Sequence, residues 1–109
     1  MNVINLVQND TGPDTKVSLY DPVTNSPLDL SNAGTSVKMH YRSEGGPTVT
    51  TINGVKTNGG ADGVVSFVWP SGALSEVGYG EGEFEITFST GMKQTVPTKA
   101  RFYVREEIA

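Results

Sequence analysis

Apolar and polar residues take turns along Phe84-Glu85-Ile86-Thr87-Phe88 and Phe102-Tyr103-Val104. A period of two becomes one dry face and one wet face only in an extended strand. The same alternation runs through Val17-Ser18-Leu19, Val37-Lys38-Met39-His40-Tyr41 and Val65-Ser66-Phe67-Val68-Trp69, with breaks containing Gly, Asn or Pro between them. No stretch carries a 3.6-residue apolar period over the ~10 residues that define a helix. Closely spaced short strands predict an all-β chain, an antiparallel β-sandwich of about seven to nine strands with immunoglobulin-like or Greek-key connections.

At 109 residues the chain is the size of one domain, read as a single β-sandwich over residues 1–109 with one two-layer core. Its 13 glycines and 6 prolines suit many tight turns. Without cysteine, neither disulfides nor a thiolate metal site contribute to stability. The net charge of −4 argues against nucleic acid as a partner, because phosphate backbones require a cationic surface. The N-terminus lacks the basic-then-apolar layout of a signal peptide. No apolar run approaches the ~20 residues of a spanning helix, so no membrane partner is expected.

Strands are predicted over 3–7, 15–20, 36–42, 48–55, 64–69, 81–88, 93–96 and 100–105, with Asn53-Gly54 interrupting the fourth by a turn or bulge. One helical turn over Ser71 to Glu76 is the most the sequence allows. The inward positions define a core of Ile4, Leu6, Val17, Leu19, Leu28, Leu30, Val37, Met39, Tyr41, Ile52, Val65, Phe67, Trp69, Leu74, Phe84, Ile86, Phe88, Phe102 and Val104.

Candidate sites are few. His40 is the sole histidine, so no nucleophile–histidine pairing has support; it shares a wet face with Lys38 and Arg42, a basic strip suited to a partner's carboxylates. Glu81, Glu83 and Glu85 fall on one face of one strand, whereas glycosidase carboxylates oppose each other across a cleft. That stripe reads as solvated, or as a contact for a basic partner. Asp10, Asp14 and Asp62 lie in loops without calcium-loop spacing, and ordinary turn chemistry accounts for them. Gly78-Tyr79-Gly80-Glu81-Gly82 resembles a phosphate loop only superficially, since a strand rather than a helix follows; it reads as a flexible turn. Trp69 shares parity with Val65 and Phe67 and belongs in the core. No catalytic residue, cofactor or metal is expected, and Lys38, His40, Arg42, Glu81, Glu83 and Glu85 form the candidate interaction surface.

Leu6-Val7-Gln8-Asn9-Asp10-Thr11-Gly12-Pro13 leads to Val17-Ser18-Leu19-Tyr20-Asp21, and Pro27-Leu28-Asp29-Leu30-Ser31-Asn32-Ala33 leads to Val37-Lys38-Met39-His40-Tyr41-Arg42. Gly82 to Phe88, Gln94-Thr95-Val96 and Phe102-Tyr103-Val104-Arg105-Glu106 close the chain. Over nearly its whole length this order resembles the N-terminal domain of tailed-phage baseplate upper proteins, an immunoglobulin-like sandwich that attaches receptor-binding machinery to the virion.

The resemblance implies a non-enzymatic structural protein of the virion, made in the host bacterial cytoplasm and docked on other tail, baseplate or capsid proteins in multiple or homo-oligomeric copies. In that family a stalk or fibre commonly follows the domain; here the sequence ends at Ala109, and the expectation is a stand-alone tail or baseplate adaptor. The alternatives are a capsid decoration protein or a host-surface carbohydrate-binding module using Trp69, Tyr79 and Tyr103.

Overall fold

The structure, a computed structural model, describes residues 3–12, 14–21, 23–46, 48–96 and 99–108. It contains strands β1 (Val3–Val7), β2 (Thr15–Ser18), β3 (Ser36–Ser43), β4 (Val49–Asn53), β5 (Val55–Lys56), β6 (Val64–Phe67), β7 (Gly78–Thr87), β8 (Lys93–Thr95) and β9 (Ala100–Arg105). They form two sheets. The larger has the order β1-β9-β7-β3-β4, with β8 also on β7; the smaller runs β2-β6-β5. No helix forms among the described residues, and Ser71 to Leu74 make turns instead.

The sandwich is all-β as expected, but not antiparallel throughout: β1 runs parallel to β9, from Val3 opposite Arg101 to Val7 opposite Arg105. Alternation has the same period in both strand senses, and no hairpin joins these distant segments, so nothing local encoded their direction. The run expected over 48–55 divides at Gly54. Its β4 half stays in the larger sheet and β5 pairs with β6 in the smaller. Gly54 donates its N–H to the Val37 carbonyl at 2.8 Å. A side chain there would collide with Val65 Cγ1, so the chain changes layer where only glycine fits.

The glycine-rich segment is also more regular than expected. Gly78 to Gly82 form the first half of β7 and pair with β9. Gly80 and Gly82 point inward, where an added Cβ at 80 would lie 2.5 Å from Tyr41 Oη and one at 82 would lie 2.9 Å from Phe102 Cε2. These glycines leave room for large rings lying across the strand.

Those rings centre the core. Tyr41, Trp69 and Phe102 meet edge to face, with centroids 5.0 Å (Tyr41–Trp69), 5.6 Å (Tyr41–Phe102) and 5.4 Å (Trp69–Phe102) apart. Such pairs add about 0.5–1.5 kcal/mol each beyond the area they bury. Phe67 of the smaller sheet meets Phe84 of the larger at 5.7 Å, tying the layers together. The buried Trp69 indole donates from Nε1 to Thr15 Oγ1 at 2.8 Å.

Ile4, Leu6, Val17, Leu28 and Phe88 pack at the rim of this core, half-buried. Val96, absent from the expected core, is buried, its N–H bonded to the Phe84 carbonyl at 2.8 Å.

Candidate interaction surface

Both charged stripes emerge on the outer face of the larger sheet. Val37, Met39 and Tyr41 turn inward from β3, leaving Lys38, His40 and Arg42 outside; Phe84 and Ile86 do the same on β7 for Glu81, Glu83 and Glu85. The antiparallel register sets Lys38 opposite Glu85, His40 opposite Glu83 and Arg42 opposite Glu81. Two strips treated separately in the sequence are therefore adjacent columns of opposite sign. Together they present no field of one sign.

Arg42 donates from Nη2 to Glu81 Oε1 at 3.1 Å, and Lys99 Nζ lies 3.7 Å from the same oxygen. His40 Nε2 is 3.8 Å from Glu85 Oε1, while its Nδ1 shares a 2.9 Å hydrogen bond with Thr51 Oγ1 on β4. Among the described residues Lys38 and Glu83 make no ion pair. His40, Arg42, Val49, Glu81, Glu83 and Lys99 line a depression of about 150 Å³. Half-exposed ion pairs of this kind contribute at most about 1 kcal/mol each. The lattice shapes a surface more than it holds the fold.

Beside it, Tyr79 on β7 packs against Tyr103 on β9 with centroids 4.9 Å apart, and the Arg101 guanidinium sits 4.5 Å from the Tyr79 ring centre. Arg101 also reaches Glu44 Oε2 at 3.6 Å. Tyr79 shares the parity of Glu81, Glu83 and Glu85, but reading its glycine neighbours as a turn concealed that. Tyr103 and Arg101 cover part of the Tyr79 ring, which remains 45% exposed. Trp69, only 1% exposed, lies in the core.

Asp62 and Asp29 serve their own turns, whereas Asp14 reaches across to β6. Asp62 accepts from Asn58 Nδ2 at 2.9 Å and the Val64 N–H at 3.1 Å, and these bonds, the Asn58 amide first, hold its carboxyl below the ordinary range. Asp29 is lowered in the same way by the Ser31 hydroxyl and then the Ser31 N–H. Asp14 accepts from Ser66 Oγ at 3.2 Å. Among the described residues no three His, Cys, Asp or Glu side chains gather as metal ligands. Where β1 and β2 flank the opening between the layers, Ile4, Leu6, Trp69 and Leu74 line a cleft of about 330 Å³ with Asp10, Asp14 and Lys16 also on its walls.

These observations define a two-layer all-β sandwich whose six candidate interaction residues lie on one sheet face. No protein-family model and no curated protein matches the sequence. Among solved structures, the fold is similar to the N-terminal domain of phage TP901-1 ORF48, with a TM-score of 0.67 and 15% identity over 95% of this chain and 85% of that one. It is also similar to CopC from Methylosinus trichosporium OB3b, with a TM-score of 0.54 and 12% identity over 98% of this chain and 87% of that one. At these identities the likeness is one of fold.

Proposed function

We propose that this chain is a non-enzymatic structural component of a tailed-phage virion, a tail or baseplate adaptor that docks on other virion proteins. The supporting observation is the fold shared with a phage protein's N-terminal domain across 95% of the chain, in line with the strand-and-turn order that resembles the baseplate upper family. The charged groups fit this role. The Glu81 carboxylate is engaged by Arg42 and Lys99, and His40 by Thr51, so the face presents paired polar groups to a partner.

Immunogold labelling of purified virions with an antibody against the chain tests the reading. Label at the tail end supports the adaptor role, and label over the head selects the capsid-decoration alternative. Intact particles free of the protein defeat both.

A further inference from the structure

We propose that the outer face of the larger sheet is self-complementary and docks a second copy of this chain. The basic column of β3 and the acidic column of β7 lie side by side in exact-length register, Lys38 level with Glu85, His40 with Glu83 and Arg42 with Glu81. A two-fold axis lying in the contact plane, midway between these strands and along them, exchanges the columns. β3 of one copy then lies over β7 of the other, and each basic residue faces an acidic one at its own level. A two-fold across the strands would place like charge on like, so the pattern selects one orientation.

The groups left over within one chain are those this contact engages. Lys38 and Glu83 make no ion pair among the described residues. In the pair, Lys38 meets Glu85 of the second copy and Glu83 meets its His40. The same axis sets β9 over β4 of the second copy, bringing Val49, 53% exposed, toward the Tyr79–Arg101 stack. Packed sheets cross at about 30°, which displaces rungs ~7 Å from the axis by about 3.5 Å, within the reach of Lys, Arg and Glu side chains.

β3 and β7 overlap over eight rungs, ~26 Å, and β4 and β9 only where Val49 and Thr50 lie level with Arg101 and Ala100. At ~4.8 Å strand spacing this is about 300 Å² per copy, about 600 Å² in all, short of the ~1,000 Å² of a stable specific contact. The dimer is therefore weak, and its charges supply orientation more than affinity. This pairing does not depend on the virion reading: a chain absent from particles can still form it.

Sedimentation equilibrium up to about 1 mM protein tests it. At low ionic strength the wild type forms a dimer whose dissociation constant rises about tenfold or more in high salt. Lys38→Glu with Arg42→Glu abolishes the dimer, as does Glu81→Lys with Glu83→Lys and Glu85→Lys; circular dichroism checks that both fold. Mixing the two variants restores a one-to-one dimer. Lys16→Glu with Lys56→Glu makes the same change in net charge on the smaller sheet; it self-associates as the wild type does, and, followed through a fluorescent label on one partner, forms no mixed dimer with the acid-to-base variant. A wild type that stays monomeric throughout overturns the proposal. So does self-association of either reversed variant at wild-type strength, a mixture of the two reversed variants that stays monomeric, or an equally strong mixed dimer between the Lys16/Lys56 control and the acid-to-base variant.

Discussion

Tyr41 and Gly80 form a matched pair. The phenol is 3% exposed, and its hydroxyl has no hydrogen-bond partner among the described residues. An unpartnered buried hydroxyl costs about 1–3 kcal/mol. Tyr41→Phe is thus expected to leave stability unchanged or raise it by about 1 kcal/mol, read as a higher thermal midpoint. Burial also pushes the phenol above its ordinary pKa of 10.0. The folded state holds this proton more tightly than the unfolded chain does. Its contribution is therefore fully present below the ordinary pKa and is lost as pH rises through the raised value. Denaturant midpoints measured from neutral to strongly alkaline pH should fall less steeply for Tyr41→Phe than for wild type. Gly80→Ala is the opposite case: its methyl meets Tyr41 Oη at 2.5 Å and the ring carbons Cε1 and Cζ at 2.8 Å. We expect a loss of about 1–3 kcal/mol in chemical denaturation. Adding Tyr41→Phe should not fully restore it, because the ring carbons remain.

Phe67 and Phe84 join the layers at the scale of elements. Phe67 is fully buried on the smaller sheet and packs against Phe84 of the larger one. Phe67→Ala should cost about 3–5 kcal/mol, a large share of the ~5–15 kcal/mol that holds a domain of this size. A thermal melt matching wild type would show the inward assignment to be wrong. Alternation made the faces of β3, β7 and β9 legible from sequence, and it placed Trp69 inside; on β6 it failed at Ser66, expected on the wet face but buried between Val65 and Phe67. It did not reveal where β4 gives way to β5, because that change of layer follows from Gly54 lying against Val65, a contact between residues distant in sequence. It also hid the first half of β7, where glycines usually taken for a turn serve as clearance for Tyr41 and Phe102. Val96 escaped for a similar reason: it follows three exposed residues of β8, a strand with no buried position of its own.

For the whole molecule, the charged residues of the candidate surface were identifiable one by one, but their arrangement was not. That Lys38, His40 and Arg42 face Glu85, Glu83 and Glu81 depends on which strands pair and in what register, and neither is written in a period of two. The same gap concealed the shared direction of β1 and β9. Tension applied between Val3 and Arg105 slides these neighbours lengthwise, so the rungs from Val3–Arg101 to Val7–Arg105 resist together. Opposed strands would instead peel apart one bond at a time. The seam between β1 and β9 is thus loaded in shear, so pulling at these two points should meet a higher unfolding force than pulling that unzips a hairpin such as β3–β4.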